Sequence, residues 1–361
     1  MRHHSWPHIR GTLVILECVK VAARANARRP NTYTMTRQWP SGQPIPANHF
    51  RVKLLQWFDQ NKRDLPWRHA RTPYCIWVSE IMLQQTRVAA VVEHYKNFVA
   101  RFPTVEKLAS ARRSSVLSAW SGLGYYRRAH MLHDAAKAIV YQRAGRFPTT
   151  AVELQELPGI GSYTSAAIAS IAFDEPVAAV DGNVERVLHR LSGKCLRNNE
   201  LWQSAGNLLS RRRPGDFNQA MMELGATICL PRQPRCFLCP VSELCVTRGE
   251  VASVRKRQRQ RKREICYALD CCDGSVFLVQ REKSATLMPS MWELPEIPSA
   301  DRPGATSLWL RHSITVTNYL VNVVLGAAPE RNHGKWISKT RLPTLPLTGL
   351  ARKILREAKL I

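Results

Sequence analysis

Four cysteines crowded into 17 residues constrain this chain more than any other feature of its sequence. They are Cys229, Cys236, Cys239 and Cys245, spaced C-x6-C-x2-C-x5-C. A zinc ribbon usually presents two C-x2-C knuckles, and only one is present here. Four thiolates in one compact loop can instead hold a cubane iron–sulfur cluster. The pattern predicts a reducing compartment and a [4Fe–4S] cofactor, with structural zinc as the alternative.

The second constraint is charge. The 361 residues carry 53 Lys and Arg against 27 Asp and Glu, a formal net charge of +26. An excess of this size favours a polyanionic partner, because each basic side chain on a phosphate releases a condensed counterion. A ribosome-like or merely soluble basic surface is the alternative, and charge alone indicates no chemistry. We therefore expect nucleic acid, and not a membrane, as the partner.

The first 45 residues fit three interpretations. A basic start precedes an apolar run at residues 11–23, as in a signal peptide, but Glu17 and Lys20 interrupt the run and it is too short to span a bilayer. An Arg-rich, acid-poor transit peptide is the second interpretation. The third is an upstream extension with Met35 as the working start. We expect residues 1–45 to be a disordered N-terminal extension.

Hydrophobic periodicity divides the remaining chain. Residues 46–248 repeat apolar side chains at helical spacing, for example throughout the stretch from Ile76 to Val99, which predicts a mainly α-helical domain. Residues 249–264 are expected to form a basic linker, because seven of the nine residues at 255–263 are Lys or Arg.

Beyond the linker the period changes to two. Strands are predicted at 265–269, 275–280, 313–325 and 335–337, with a closing helix at 347–359. Residues 265–361 are therefore expected to form a second, α+β domain.

A glycine-marked turn and an aspartate point to DNA. The sequence LPGIG, with Gly159 and Gly161, joins two predicted helices, and such a turn can bring backbone N–H groups close to a phosphate. An ordinary helix turn is the alternative. Asp181 opens the next helix, where an N-cap is the simpler explanation. Taken together with the cysteine spacing, the turn and Asp181 resemble the helix-hairpin-helix iron–sulfur DNA glycosylases, which flip a nucleotide out of the duplex.

Three further motifs narrow the resemblance. They are LPWR at 65–68, WVSEIMLQQT at 77–86 and GLGYYRRA at 122–129. All three resemble signatures of the adenine DNA glycosylase (MutY) family, and the resemblance runs from about residue 50 to 248 and more weakly through the last domain.

The resemblance implies catalytic roles for four residues. Glu80 would protonate adenine, and its place beside an apolar helix stripe would raise its pKa by desolvation. A solvated helix glutamate is the alternative. Asp181, oriented by Asn183, would stabilise the oxocarbenium-like sugar directly or through a transient covalent bond. Tyr163 stands where strand-cleaving relatives carry a Schiff-base lysine, which implies a monofunctional enzyme that leaves an abasic site.

The family also implies binding roles. Trp67, Arg68 and Glu223 would line the adenine pocket. Gln85 and Thr86 would read the guanine partner, with Tyr125 wedged into the base stack. By themselves, these side chains could equally be buried helix or turn residues.

Residues 265–361 resemble the Nudix-like domain through which this family recognises 8-oxoguanine. The matching pieces are DGSVFLVQR at 273–281 and MWELP at 291–295. The glutamate cluster that holds Mg²⁺ in a catalytic Nudix box is missing, so we expect recognition without pyrophosphatase chemistry. Where the family presents Phe-Ser-His, this chain has Ile314, Thr315 and Val316, and only the Thr315 hydroxyl is left to contact the lesion.

These observations predict a monomeric base-excision repair enzyme that removes adenine from A:8-oxoguanine or A:G mispairs in double-stranded DNA. A cytoplasmic, bacterial-type location on nucleoid DNA is expected, with a targeting peptide as an alternative. Two other functions stay open. One is a bifunctional, endonuclease III-like glycosylase acting on damaged pyrimidines, and the other is a non-catalytic iron–sulfur DNA-binding protein.

Overall fold

The computed structural model describes residues 43–249, 261–282, 284–285, 287–298, 306–314, 317–326 and 334–361, all within one compact unit, Arg37–Ile361. Up to residue 249 the described chain is helical. Its α-helices are α1 (Ala47–Asn61), α2 (Pro66–His69), α3 (Pro73–Leu83), α4 (Val88–Arg101), α5 (Val105–Ala109), α6 (Arg113–Trp120), α7 (Arg127–Lys137), α8 (Ala151–Leu154), α9 (Ser162–Phe173), α10 (Gly182–Ser192), α11 (Asn198–Leu208) and α12 (Pro214–Thr227). A π-helical turn, Ala138–Gln142, extends α7, and the 3-10 turns Cys236–Leu238 and Ser242–Leu244 lie in the cysteine loop.

The stretch from Ile76 to Val99 differs from the sequence prediction. It forms two helices, α3 and α4, separated by a turn at residues 84–87. The turn breaks the helix because Gln85 adopts a positive φ of 55°, in the left-handed region that helices do not use. Both helices contribute to the same core, α3 through nearly its whole length and α4 through Val91, Tyr95 and Phe98.

Two apolar cores stabilise the helical part. The first surrounds Trp77, Phe98 and Trp120, and the second packs Phe50 and Leu54 of α1 against α10 and α12. Removing each of these large side chains from water contributes on the order of 2 kcal/mol. Helix α12 packs against both α9 and α10, and the predicted site residues gather in the groove lined by α3, α9, α10 and α12.

The second domain is α+β, as expected. Its strands are β1 (Arg261–Leu269), β2 (Cys271–Cys272), β3 (Ser275–Gln280), β4 (Trp292–Glu293), β5 (Glu296–Ile297), β6 (Thr306–Ile314), β7 (Thr317–Leu325) and β8 (Gly334–Ser338), followed by a 3-10 turn, Lys339–Thr344, and helix α13 (Gly349–Glu357). One sheet has the order β5-β1-β7-β6, and the other has the order β2-β3-β4, with β8 also pairing β3. Among these pairs only β1 and β7 run parallel.

The sheet and helix of this domain share one core. Ile265 and Tyr267 alternate toward α13, whose Leu350 and Ile354 are buried against them. Strand β1 begins at Arg261, inside the segment expected to be linker, and the rest of that segment from 250 to 260 lies outside the described residues. Of the expected N-terminal extension only 43–45 are described, and they lead into α1.

No helix of the described ranges is long and apolar enough to cross a membrane.

Candidate active site

A cavity of about 680 Å³ opens between α3, α9, α10 and α12. Its walls bring together predicted residues from five separate parts of the chain. They are Trp67, Arg68, Glu80, Gln85, Thr86, Gly161, Tyr163, Asp181, Asn183 and Glu223.

Glu80 is the buried acid of the cavity. Helix α3 starts at an N-cap, where the Thr72 side chain accepts from the Cys75 N–H, and it is buried from Tyr74 to Met82. Glu80 is therefore only 6% exposed. Burial raises its pKa to about 7, and the negative charge of Asp181 adds to the rise, while a hydrogen bond from Tyr163 and the charge of Arg68 oppose it.

Tyr163 is the direct partner of Glu80. Its hydroxyl donates to Glu80 Oε2 at 2.7 Å and also lies 3.1 Å from the sulfur of Met222. Burial and the nearby carboxylates raise the pKa of Tyr163 well above its usual value, so the phenol stays neutral and remains a donor. Met222, which the sequence analysis did not identify, completes this wall of the cavity.

Asp181 is held at the N-terminus of α10. One carboxylate oxygen accepts from the N–H groups of Asn183 (2.9 Å) and Val184 (2.8 Å), and the other accepts from Asn183 Nδ2 (2.9 Å). The N-cap explanation is therefore correct, and the same side chain also lines the cavity. Capping fixes the carboxylate in one orientation toward the space beside Glu80 and Tyr163.

Arg186 connects this capped aspartate to the cysteine loop, and the sequence analysis missed it. Its guanidinium donates to Asn183 Oδ1 (2.9 Å), to the Gly225 carbonyl (2.6 Å) and to the Cys229 carbonyl (2.8 Å). A Cβ on Gly225 would lie 2.6 Å from Asn183 Cβ, so glycine allows α10 and α12 to approach this closely. The one available signal was helical spacing, since Arg186 follows Asn183 by three residues.

The same cavity is lined by a second buried acid, Glu223, which is 2% exposed. It accepts from Arg63 Nε (2.6 Å) and Arg68 Nη2 (2.9 Å). Burial opposes ionisation, but the hydrogen bonds and charges of the two arginines outweigh it and lower the pKa of Glu223. Trp67 lies beside this pair, nearly buried and edge-on to Tyr95 at 5.4 Å. No local sequence signal pointed to Arg63.

Two turns with left-handed residues lie near the cavity mouth. Gln85 (φ 55°) is exposed on the first, followed by the partly buried Thr86. Tyr125 (φ 47°) is on the second and is 48% exposed. Each turn thus places at the protein surface a side chain that was predicted to contact bases, Gln85 on the first turn and Tyr125 on the second.

Arg128 lies in the GLGYYRRA motif and joins these two turns, a role that the motif did not predict. Its guanidinium lies 5.4 Å from the centre of the Tyr125 ring. Its hydrogen bonds reach the C-terminal end of α3, the first turn and the second turn. The acceptors are the carbonyls of Ile81, Met82, Gln84, Leu123 and Gly124, and the hydroxyl of Thr86.

The predicted hairpin lies between α8 and α9. Gly159 has a φ of 77°, and a Cβ there would lie 2.6 Å from Met131 Cβ, so only glycine fits. Gly161 precedes α9 as its N-cap, and nothing lies within 4 Å of a Cβ built on it. That open side leaves the helix N-terminus accessible to a ligand.

The four predicted cysteines line one pocket. Arg190 Nη1 donates to Cys229 Sγ at 3.3 Å. Burial raises the pKa of Cys239 to about 12, with the charges of the other cysteines adding to the rise. Within the described ranges, no three His, Cys, Asp or Glu side chains are arranged to hold a single metal ion. Thr315, predicted to contact the lesion, lies outside the described residues.

Comparison with known proteins identifies the relatives of this chain. The family described as "HhH-GPD superfamily base excision DNA repair protein" matches residues 78–198. The adenine DNA glycosylase of Mus musculus is 41% identical over 284 residues, covering 71% of this chain and 55% of the relative. That of Schizosaccharomyces pombe is 38% identical over 324 residues, covering 70% of each chain.

The chain belongs to the adenine DNA glycosylase family. It spans about half the length of the mouse and rat members, 55% in each case. A solved thymine-DNA glycosylase is similar in structure, with a TM-score of 0.52, 32% identity and coverage of 56% of this chain and 97% of that one. In this member of the adenine DNA glycosylase family, the matched residues 78–198 include Glu80, Tyr163, Asp181 and Asn183.

Proposed function

We propose that this protein removes adenine from mispaired duplex DNA by hydrolysing its N-glycosidic bond. The observation that carries the proposal is that two carboxyl groups in different environments, Glu80 and Asp181, line one cavity. Glu80 has a pKa of about 7, so a large fraction carries a proton at neutral pH. Asp181 is held by three N–H donors and lines the same cavity. Acid and anion in one site is the arrangement that glycoside hydrolysis requires.

The chemistry follows from these two groups. Glu80 transfers its proton to the flipped adenine, and the electrons of the N-glycosidic bond leave with the base. The positive charge that develops on the sugar is stabilised by Asp181, directly or through a transient covalent bond. Water then adds to the sugar, and the proton that it loses restores Glu80. Tyr163 keeps the Glu80 carboxyl in position throughout, while Asn183 orients Asp181.

The proposed product is an abasic site in an intact strand. Strand cleavage requires an amine that forms a Schiff base with the sugar. No lysine is among the described residues that line the cavity, and Tyr163 lies at the end of the cavity where Glu80 and Asp181 meet. This favours the monofunctional reaction over the endonuclease III-like alternative.

We propose that the adenine base lies between Trp67, Arg68 and Glu223, with Tyr125 entering the stack and Gln85 and Thr86 contacting the opposite guanine. The second domain would act as the Nudix-like reader of 8-oxoguanine, with Thr315 contacting the lesion. The DNA backbone would lie at the hairpin of Gly159 and Gly161. The acting species would be a monomer, with residues 46–248 as its glycosylase domain and the domain that starts at β1 as its lesion-recognition domain.

The cysteine loop fits a [4Fe–4S] cluster bound by Cys229, Cys236, Cys239 and Cys245. Four sulfur donors line one pocket, and the raised pKa of Cys239 means that its thiolate needs a cationic partner. Each thiolate of a cubane binds its own iron, so the four sulfurs need not converge on one point as around zinc. A bound cluster would hold this loop and, through Arg186, the start of α10. Hydrolysis itself needs no electron from it.

The test is excision from defined duplexes. Purified protein is incubated with A:8-oxoguanine, A:G and A:T duplexes under single-turnover conditions and then treated with alkali. We expect alkali-dependent cleavage at adenine in the two mispairs, and no adduct after borohydride treatment. A borohydride-trapped adduct would favour the bifunctional enzyme instead. If neither wild type nor Asp181→Asn gave cleavage, the result would support the non-catalytic DNA-binding protein.

A further inference from the structure

The turn that carries Tyr125 is fastened at both ends to the second domain. The hydroxyl of Ser121, before the turn, donates to the carbonyl of Leu347 at 3.1 Å. The hydroxyl of Tyr126, after the turn, donates to the same carbonyl at 3.2 Å. One backbone atom of the second domain thus holds both ends of the exposed turn.

A chain of hydrogen bonds closes around this carbonyl. Arg352 of α13 donates from Nε to Ser121 Oγ at 2.8 Å, and the Gly122 N–H donates to the Tyr126 hydroxyl at 3.4 Å. Ser121, Tyr126 and Leu347 are 8%, 2% and 0% exposed. Water therefore does not compete for these bonds, and each lost partner would leave a buried polar atom unsatisfied.

Leu347 is itself fixed within the second domain. It forms a parallel bridge with Trp292, and the Thr348 N–H donates to the Trp292 carbonyl at 2.9 Å. The adjoining Met291 is fully buried in the core of the helical domain, beside residues of α6 and α7. The carbonyl is therefore a rigid anchor and not the tip of a loose loop.

The turn needs such an anchor, because its backbone is unusual. Gly122 and Gly124 have φ values of 107° and 72°, and Tyr125 has a φ of 47° although it is not glycine. A non-glycine residue in the left-handed region is about 1 kcal/mol less stable than in the ordinary regions. Tyr125 keeps this conformation while 48% exposed, with the Arg128 guanidinium 5.4 Å from the centre of its ring.

We propose that the second domain positions the Tyr125 wedge, with Arg352 and the Leu347 carbonyl as its positioning groups. This role is separate from reading the opposite base, because these contacts are buried between the two domains and use none of the residues proposed to contact that base. The second domain would thus promote extrusion of adenine even when the partner is unoxidised guanine. The inference rests on the proposed function, since it concerns the step that precedes adenine excision.

The test replaces Arg352 with methionine, which keeps the aliphatic stem and removes the guanidinium. Arg356→Met is the matched control, because Arg356 is exposed on the same helix one turn later. Extrusion is followed by the fluorescence of 2-aminopurine placed at the target position opposite guanine or 8-oxoguanine. Excision is followed by single-turnover kinetics on the corresponding adenine duplexes.

We expect Arg352→Met to lower both extrusion and the excision rate about tenfold opposite either partner, the size of one charge-assisted hydrogen bond. The pH at which the excision rate half-declines should stay unchanged, because Glu80 is not touched. Arg356→Met should behave as wild type. Tyr126→Phe, which keeps the buried ring, should act in the same direction, and the two changes should combine less than additively.

Two results would overturn the inference. In one, wild type excises adenine and both Arg352→Met and Tyr126→Phe extrude the base as well as wild type does. In the other, Arg352→Met slows excision only opposite 8-oxoguanine, which assigns Arg352 to lesion reading. If wild type excises no adenine at all, the proposed function fails and this inference fails with it. In the two results above, wild type excises adenine and the inference alone fails, so the two failures are distinguishable.

Discussion

Glu80 of α3 and Glu223 of α12 line the same cavity, and both are almost completely buried, at 6% and 2% exposure. Their pKa values nevertheless shift in opposite directions. Burial raises the pKa of Glu80 to about 7, and its hydrogen-bond partner is the neutral phenol of Tyr163. The pKa of Glu223 is lowered, because two arginines bond to it. Burial alone does not set the charge of a carboxyl group in this cavity. The hydrogen-bond partners of each glutamate, a phenol for Glu80 and two arginines for Glu223, decide which one is a proton donor and which is a fixed anion.

The largest expected effect comes from removing the proton donor. Glu80→Gln keeps the shape and the acceptor for Tyr163 but cannot donate a carboxylic proton. We predict a loss of about 1000-fold or more in the single-turnover excision rate, as for general-acid catalysis, with duplex affinity nearly unchanged. Glu93→Gln, on the exposed face of α4, is the control and should retain the wild-type rate. If the excision rate of Glu80→Gln were within tenfold of wild type, Glu80 would not be the proton donor, and the distinction between Glu80 and Glu223 would be removed.

The second effect is on stability. Because the pKa of Glu80 is raised on folding, its contribution to stability is complete below about pH 4.5 and is lost as the pH rises through about 7. Relative to Glu80→Gln, wild type should lose up to ~3 kcal/mol of unfolding free energy between pH 5 and pH 8. Urea unfolding of both proteins at the two pH values measures this difference. Parallel pH curves would show that Glu80 is not perturbed.

A smaller loss of unfolding free energy is expected when a partner of Glu223 is removed. Arg68→Met removes one of the two arginines that hold Glu223 ionised, and we predict a loss of about 2 kcal/mol in unfolding free energy at pH 7. Arg71→Met breaks the more exposed pair with Asp216 and should cost less than about 0.5 kcal/mol. Urea unfolding at one pH compares them. Equal losses would mean that burial of the Arg68–Glu223 pair has no energetic consequence.

The residues around this cavity also differ in how well the sequence predicted them. Glu80, Tyr163 and Asp181 lie in or beside short local patterns, and the structure places them around one cavity as expected. Arg63 lies 160 residues from its partner Glu223, so no local pattern could reveal the pair. Arg186 likewise bonds across to the cysteine loop. Contacts that depend on how distant helices pack are not encoded in any one segment.

The same limit applies to the fold. Local periodicity predicted the helical character of residues 46–248 and the α+β character of the second domain. It did not predict the break at residues 84–87, which depends on the left-handed backbone of Gln85. Nor did it predict that β1 pairs in parallel with β7, or that Met291 is buried in the helical core. These features arise from tertiary packing, which overrides the periodicity of a single segment.

The most direct test of the central claim is the pH dependence of adenine excision in wild type and Tyr163→Phe. The rate should fall as the pH rises through about 7, since only protonated Glu80 donates. The Tyr163 hydroxyl stabilises the carboxylate, so its removal should move this decline to higher pH. Single-turnover rates from pH 5.5 to 9 on an A:8-oxoguanine duplex provide both curves. A flat wild-type profile, or a decline that moves to lower pH in Tyr163→Phe, would contradict the assignment of Glu80 as the acid.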